Sequence, residues 1–406
     1  MSVDNKDNNS QNYESATGMK FSRRDFLAAG GAAVTAPAIV SAVASTAVAA
    51  AQNTGGKKEI LLGLVGETNV NRPEPETAFL KVQPLLDKAD ILFGHIEMSV
   101  SHTPSDNVQS TDSVDLQYKQ GWVHSKPEVL KAWKTSGFDA VGIASNTVGN
   151  AESIELTIKE LDKLGLPNAG LGMNFAEARK PVIVEKNGVK IGFLSYTSVF
   201  YPQFVPALEK RPGAATVKAI MAIVPSYRTE EMPGAMPSVK TWLDEKEKAL
   251  MLQDIAKLRP QVDYVVLSNH WGVTDGENIQ DYQFELGHAA IDAGADVIMG
   301  HHPHRPQGIE IYKGKPIFYS MGNFVFDWWL VRDYLKEGIL GYVTLGNVGV
   351  LKVSFVPVCR EDESNDIAPV SVKSPKGIEI IETVRRLSQN LDTKFEVLEN
   401  EVVVSI

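Results

Sequence analysis

The segment Gly300–Asp327 reads "GHHPHRPQGIEIYKGKPIFYSMGNFVFD" and packs three histidines, His301, His302 and His304, into four residues. In an extended segment, residues i and i+2 point to the same side, and Pro303 stiffens the backbone between two of the imidazoles. We therefore expect His302 and His304 to face one metal centre, and His301 to face away from it.

The same segment contains one of several short apolar runs that alternate with helical patterns along the chain. Each run ends in a polar residue. Such runs are typical of strands that are buried on both faces of an α/β sheet. The runs begin at Ile60, Ile91, Phe138, Val189, Asp263, Asp296 and Pro316. Helical spacing is found between them at 125–137, 152–164, 240–258 and 280–293.

Polar side chains follow five of these runs, where the loops of an open α/β sheet converge on one crevice. Singly, a glutamate or asparagine at such a position is usually a helix cap or a turn residue, and a histidine is usually a satisfied polar residue. Together, carboxylate, amide and imidazole form the ligand set that suits Mn²⁺, Fe²⁺ or Zn²⁺. We predict one or two divalent ions held by Glu67, Glu97, Asn146, His270, His302 and His304.

Composition narrows the class of protein further. The 406-residue chain has a net charge of -10 and a pI near 5.4, which argues against a broad surface for nucleic acid. A metal or a local arginine cluster would still allow the protein to bind a small anion. The single cysteine, Cys359, excludes an intrachain disulfide and any zinc site built from several thiolates.

The N-terminus has the pattern of an export signal. Adjacent Arg23 and Arg24 precede an alanine-rich run that ends near Ala51, which is typical of the twin-arginine route. We predict a signal at 1–51, a linker at 52–58 and a periplasmic or cell-envelope location. The alternative is an uncleaved anchor with membrane association, although Pro37 and the Ala/Gly-rich composition disfavour a lipid-spanning helix.

The rest of the chain, 59–406, is predicted to be one domain. Its core covers 59–358, and 359–406 is a C-terminal extension. The proline-rich stretch 200–238 interrupts the strand–helix rhythm, and we predict a lid or an insertion beside the site there, with a variable surface loop as the alternative.

Four motifs resemble one known family. The segment at 300–327, together with "NHWG" at 269–272, "FGHIE" at 93–97 and "ASNT" at 144–147, is similar to the CapA family of poly-gamma-glutamate capsule proteins. That family is related to the calcineurin-like metallophosphatases. The resemblance implies an α/β fold, a metallophosphatase-like four-layer sandwich of two mixed β-sheets flanked by helices, with the site at the sheet ends.

The resemblance also assigns roles to individual positions. His302 and His304 match the family's paired histidines, and His270 matches the histidine of its HWG motif. Glu97 matches the carboxylate of an Asn-x-Glu motif, and Asn146 matches the second asparagine of an Asn-Asn-His motif.

Three positions depart from the family pattern. Glu67 stands where the family usually has aspartate, His95 replaces an asparagine, and Thr147 replaces the histidine that protonates the leaving group in related phosphatases. Threonine is not a general acid near neutral pH. His95 and His124 are the candidates to supply the missing proton.

Two functions agree with these features. The first is a metal-dependent hydrolase whose activated water attacks a phosphoester or a gamma-glutamyl, capsule-type anionic substrate, with His95 and Arg305 as catalytic residues. Arg305 suits bidentate binding of a phosphate or carboxylate, and a surface salt bridge is the alternative. The second function is a non-catalytic accessory protein that binds an anionic polymer such as polyglutamate or assists an envelope synthetase. The acidic surface disfavours a wide polyglutamate track.

Overall fold

The apolar runs form strands in two separate sheets that face each other. The computed structural model describes residues 59–102, 125–203, 205–226, 228, 231–232, 234–328, 334–362 and 364–406. The predicted signal and linker, and His124, lie outside these residues.

Strands and helices alternate along most of the described chain. The strands are β1 Ile60–Asn69, β2 Ile91–Ile96, β3 Ala140–Gly142, β4 Asn168–Ala169, β5 Leu171–Gly172, β6 Val182–Lys186, β7 Val189–Thr197, β8 Gly213–Ala214, β9 Ala219–Val224, β10 Ser238–Leu243, β11 Tyr264–His270, β12 Val297–His301, β13 Ile309–Tyr312, β14 Lys315–Phe318, β15 Asn323–Phe326, β16 Glu337–Gly346, β17 Gly349–Arg360, β18 Ile367–Pro369, β19 Phe395–Val397 and β20 Val402–Val404. The α-helices are Gln83–Leu86, Lys131–Thr135, Ala151–Lys163, Phe175–Ala178, Glu245–Leu258, Asp281–Asp292 and Pro375–Leu387.

Both sheets are mixed. The larger has the strand order β19-β20-β17-β16-β1-β2-β3-β4, with β15 paired to the end of β1 and β18 paired to β17. The smaller has the order β13-β14-β12-β11-β7-β6. The central neighbours β1, β2 and β3 are parallel, and so are β7, β11, β12 and β14. Parallel strands end at the same edge, so each sheet presents several carboxyl ends to one side.

Three apolar clusters divide the fold into four layers. One fills the space between the sheets, where the stacked rings of Phe93 and Phe193 lie with centroids 4.4 Å apart. A second packs the large sheet against helices that contribute Trp133 and Leu161. The third packs the small sheet against helices that contribute Ile255 and Leu286. The predicted four-layer α/β sandwich of two mixed sheets flanked by helices is therefore confirmed.

The C-terminal residues 359–406 complete this architecture. Strands β18, β19 and β20 extend the large sheet beside β17. The helix Pro375–Leu387 begins after Ser374, whose side chain accepts a hydrogen bond from the Gly377 N–H, as an N-cap should. It buries Ile380 and Val384 in the inter-sheet cluster.

The predicted lid or insertion at 200–238 contains regular structure in its described part. Strand β8 pairs with β5, and β9 forms an antiparallel hairpin with β10. The hairpin exposes apolar side chains, among them Met221 and Ile223. Within the described ranges, no helix combines the length and the apolarity that crossing a bilayer requires.

Candidate metal centre

A β-bulge near the end of β1 turns Glu67 into the space between the sheets. Leu62 and Leu64 point into that space, so strict alternation would send residue 67 to the opposite face. The register of β1 against β2 shifts between Val65 and Glu67, and such a shift re-aims the following side chain. Gly66 allows it, because a Cβ there would lie 2.6 Å from the Gly322 carbonyl oxygen.

Glu97, Asn146 and His270 meet from three different strand ends. The Glu97 N–H donates to the Thr68 carbonyl, which fixes the residue just beyond β2. His270 Nε2 donates to Asn146 Oδ1 at 2.8 Å and lies 3.9 Å from Glu97 Oε1. Side chains from β2, from the loop after β3 and from β11 therefore share one pocket.

The His-Pro-His segment reaches the same pocket by a different geometry from the one expected. His302 and His304 have φ values of 100° and 61°. The segment is therefore not extended, and the expectation of an extended His-Pro-His backbone was wrong. Two left-handed residues are strained for non-glycine side chains. Both imidazoles are nevertheless grouped with Glu97, and His304 Nδ1 lies 3.6 Å from Glu67 Oε2 and 3.7 Å from Glu97 Oε2.

The expectation that His301 faces away from the centre was wrong. It is the last residue of β12, two residues after the inward-facing Met299, and alternation therefore points it between the sheets. Its Nδ1 lies 3.2 Å from His270 Nδ1 and 3.7 Å from Glu67 Oε1. The ring of His95 stacks on it, with 3.5 Å between the centroids.

Several buried polar atoms in this pocket have no hydrogen-bond partner among the described residues. They are both carboxylate oxygens of Glu67, both ring nitrogens of His95, Oε2 of Glu97 and Nδ1 of His302. An unpaired buried polar group costs about 1–3 kcal/mol, and native proteins contain few of them. So many in one place indicate that something else satisfies them.

Burial sets the protonation state of these groups. Desolvation lowers the pKa of His95, His270, His301 and His302 well below the usual 6.5, and the neighbouring imidazoles lower each further. Desolvation likewise raises the pKa of Glu67 to about 7, against the opposing effect of His304. The imidazoles of His95, His270, His301 and His302 are thus neutral at pH 7, which is the state that binds metals.

The donor set fits divalent metal ions. Two groups have ligand atoms within 4.8 Å of one another, Glu67 with His95, His270 and His301, and Glu97 with His302 and His304. Neutral imidazoles and carboxylates suit Zn²⁺, Fe²⁺ or Mn²⁺. All six residues proposed from the sequence as ligands are therefore brought together, and His95 and His301 join them.

The two residues proposed as catalytic do not stand free beside this pocket. Burial keeps the His95 imidazole neutral, which leaves it without an acidic proton near pH 7 and argues against its role as general acid. Arg305 forms salt bridges with Asp275 and Glu277, which is the alternative left open by the sequence. Thr147 hydrogen-bonds Ser145 through its hydroxyl, at 2.8 Å.

Three supporting residues were missed in the sequence. His304 Nδ1 donates to Asn323 Oδ1 at 3.0 Å, Ser268 Oγ lies 2.8 Å from His301 Nε2, and Thr274 Oγ1 lies 3.1 Å from His302 Nε2. Partners of this kind orient the imidazole that holds a metal. Ser268 could have been found by counting back two residues from His270 along a strand.

Comparisons with known proteins agree with the motifs. Residues 44–328 match the family model described as "Bacterial capsule synthesis protein PGA_cap". The chain is 30% identical over 312 residues to "Capsule biosynthesis protein CapA" of Bacillus anthracis, which covers 75% of this chain and 67% of that protein. It is 27% identical to "PGA biosynthesis protein CapA" of Bacillus subtilis (strain 168), over 75% of this chain and 73% of that one.

A more distant relative and one solved structure complete the comparison. A "Probable polyglutamine synthesis accessory protein" of Mycobacterium tuberculosis is 29% identical over 46% of this chain and 42% of that protein. The crystal structure of TT1561 from Thermus thermophilus overlaps 71% of this chain and 99% of that one, with a TM-score of 0.36 and 9% identity. The family model covers well over half of the chain, and the chain therefore belongs to the bacterial capsule synthesis protein family PGA_cap.

Proposed function

We propose that this protein is an exported, divalent-metal-dependent hydrolase that acts on an anionic substrate, either a phosphoester or a gamma-glutamyl bond of a capsule-type polymer. The observation that carries the proposal is the buried set of unpaired ligand atoms on Glu67, His95, Glu97 and His302. The names of the relatives connect the proposal with capsule polyglutamate, because two of them are capsule or PGA biosynthesis proteins.

The roles of the residues follow from their positions. The residues that would hold the metal are Glu67, Glu97, Asn146, His270, His302 and His304. When bound, the metal would supply Lewis acidity and lower the pKa of water from about 15.7 to near 7. Asn323 and Thr274 orient the two imidazoles of the His-Pro-His segment. Water is largely excluded, because His302 and His304 are only 4% and 3% exposed.

The first experiment measures metal content and turnover of protein purified without a histidine tag. We expect bound Mn, Fe or Zn, and metal-dependent hydrolysis of a phosphoester or a gamma-glutamyl peptide. His302→Ala should lose both metal and activity. The matched control is His288→Ala, which removes an imidazole that is paired with Glu310 away from the centre, and it should keep both. Absence of metal from the wild type would overturn the proposal.

A non-catalytic accessory role is the second candidate, and Thr147 is the observation that favours it. At that position the related phosphatases carry a proton donor, whereas this hydroxyl is engaged with Ser145. One relative is itself named an accessory protein. In this role the metal centre would bind an anionic polymer or support an envelope synthetase. Bound metal without turnover on either substrate class would favour this candidate.

Thr147→His tests whether that single position separates the two roles. General acid catalysis contributes about 10²–10⁴-fold, so a restored donor should increase phosphoester hydrolysis at least tenfold. The control is His288→Thr, which exchanges the same two residue types away from the centre and should leave the rate unchanged. An unchanged rate in metal-loaded Thr147→His would show that the missing histidine does not limit turnover.

Export by the twin-arginine route is also part of the proposal, and it rests on Arg23 and Arg24 in the sequence. Replacing both by lysine keeps the charge but removes the paired guanidinium groups. We expect the variant to accumulate inside the cell, while the wild type is found in the envelope fraction. Equal distribution of the two proteins would exclude this route.

A further inference from the structure

His95 and His301 are the two imidazoles of this pocket to which the proposed function assigns no ligand role. His95 stands where the resembling family has asparagine, and His301 was expected to point outward. Both are fully buried. Their rings stack at an angle of 17°, and the ring of His270, which lies 3.9 Å from Glu97 Oε1, has its centroid 5.3 Å from that of His95.

We propose that Glu67, His95, His270 and His301 form a separate, imidazole-rich cation position that binds Zn²⁺ in preference to Mn²⁺. It lies beside the position formed by Glu97, His302 and His304, and Glu67 reaches both positions through its two carboxylate oxygens. The inference rests on the proposed metal centre, because Glu67 and His270 belong to it, and it goes further by assigning two new ligands and a preferred ion.

Distances among three of the ligand atoms support a single cation between them. Glu67 Oε1 lies 3.5 Å from His270 Nδ1 and 3.7 Å from His301 Nδ1. The two Nδ1 atoms are 3.2 Å apart. A tetrahedral zinc with bonds of about 2.0–2.2 Å separates its ligand atoms by about 3.3–3.6 Å, which is close to these three values.

His95 supplies the fourth donor. One of its ring nitrogens lies within 4.8 Å of the other three ligand atoms, and neither nitrogen has a hydrogen-bond partner among the described residues. A fully buried imidazole with two unpaired nitrogens is unfavourable for the metal-free fold. A cation would satisfy one of these nitrogens directly.

The surrounding residues orient the ligands of this position. The Nε2–H of His270 donates to Asn146 Oδ1 at 2.8 Å, which leaves the lone pair of Nδ1 for a cation beside His301 and Glu67. Glu67 Oε1 faces His270 of this position, and Glu67 Oε2 faces His304 of the neighbouring one. His301 Nε2 contacts Ser268 Oγ at 2.8 Å, so that a proton on Nε2 leaves Nδ1 free as a ligand.

The ligand chemistry selects the ion. Three imidazoles and one carboxylate form a nitrogen-rich, four-donor set, which suits Zn²⁺, whereas Mn²⁺ prefers carboxylate, carbonyl and water oxygens. The group of Glu97, His302 and His304 has two imidazoles and one carboxylate, and a second carboxylate oxygen, Glu67 Oε2, lies 3.6 Å from His304 Nδ1. The two positions should therefore differ in their preference for these ions.

The test is the zinc stoichiometry of tag-free, full-length protein that has been stripped with a chelator and titrated with zinc alone. His301→Gln and His95→Asn should each bind one zinc fewer than the wild type, and zinc should displace manganese less readily from them. His288→Gln is the matched control and should bind the wild-type number. Unchanged stoichiometry and affinity in both variants would overturn the inference.

Two further variants keep the test decisive. Ser268→Ala retains all four ligands and should weaken zinc at this position by roughly 10–100-fold; wild-type affinity in this variant overturns the inference even if His301→Gln does not fold. His302→Ala separates the two proposals. If His302→Ala loses zinc and His301→Gln does not, the inference fails and the proposed function stands. If the wild type binds no metal, both fail.

Discussion

Two consecutive layers of the inter-sheet space differ in chemistry although strand β2 contributes a ring to each. In the first layer, Phe93 of β2 stacks on Phe193 of β7 with 4.4 Å between centroids and 8° between planes. Two residues further along β2, His95 stacks on His301 of β12 at 3.5 Å and 17°. All four side chains are completely buried.

Equal burial has opposite energetic consequences in the two layers. Removing apolar area from water stabilises the fold by about 25 cal/mol per Å², so the phenylalanine layer drives the sheets together. The histidine layer contains desolvated nitrogens without partners among the described residues, each of which costs about 1–3 kcal/mol. The phenylalanine layer therefore stabilises the fold. The histidine layer destabilises it unless a ligand pairs with the buried nitrogens.

The largest effect is expected from breaking the apolar layer. Phe93→Ala should lower the free energy of unfolding by about 3–5 kcal/mol, because it removes a packed ring and leaves a cavity. Denaturant unfolding of metal-free protein measures this. Phe175→Ala, at a side chain that is 41% exposed, is the control and should change stability far less. Equal losses in the two variants would contradict the assignment of the core.

Zinc should stabilise the histidine layer specifically. Added to chelator-treated protein at a free concentration of about 100 times Kd, one zinc should increase the free energy of unfolding by about 2.7 kcal/mol. The gain is measured by thermal or denaturant unfolding with and without zinc. Phe93→Ala should show the same gain, because it leaves every ligand in place. A gain that disappears in Phe93→Ala would mean that the layers are not independent.

The metal affinity should depend on pH through Glu67. Burial raises the pKa of this carboxyl to about 7, and the ligand form is the deprotonated one, so protons compete with metal below pH 7. The buried imidazoles have pKa values lowered well below 6.5 and do not compete in this range. Zinc affinity should rise about fivefold between pH 6 and 7 and roughly another twofold up to pH 8, and it should level off above that. Calorimetric titrations at several pH values measure it, and a flat profile would contradict the role of Glu67.

The smallest effect is expected at Arg305, just outside both layers. Its side chain is 29% exposed and pairs with Asp275 and Glu277. Exposed pairs of this kind contribute about 0–1 kcal/mol, so Arg305→Ala should change stability by no more than that and leave zinc affinity unaltered. Denaturant unfolding and zinc titration check both points. A large loss of hydrolysis without loss of zinc would return Arg305 to the role of substrate clamp.

Much of the fold could be predicted because buried strands have a simple signature. The apolar runs that begin at Ile60, Ile91 and Val189 all became strands, since continuous apolar residues suit a sheet covered on both faces. The segment 240–258 was only partly helical. Strand β10 occupies its start, and the helix begins after Asp244, whose carboxylate accepts hydrogen bonds from two backbone N–H groups. The start of this segment is a strand because it pairs with β9, which comes earlier in the chain, and no local sequence pattern predicts that pairing.

The site was predictable in its members but not in its geometry. Polar residues at strand ends marked the site, and Glu97 after β2 of the large sheet and His270 at the end of β11 of the small sheet do lie in one pocket. The left-handed backbone of His302 and His304 depends on tertiary contacts and was not visible in the sequence. His301 was misplaced because the i, i+2 rule for an extended segment put it on the side opposite His302 and His304. Counting by two from Val297 through Met299 would have turned it inward.

The pairing of β1 also determines when this chain is able to fold during its synthesis. Its antiparallel neighbour β16 begins at Glu337, about 280 residues later, which is roughly 15–60 s of ribosome time at about 5–20 residues per second. Until then one edge of an apolar strand is open to other nascent chains. The large sheet therefore cannot be completed before most of the described strands have been synthesised, and chaperones that cover this edge should increase the yield of folded protein.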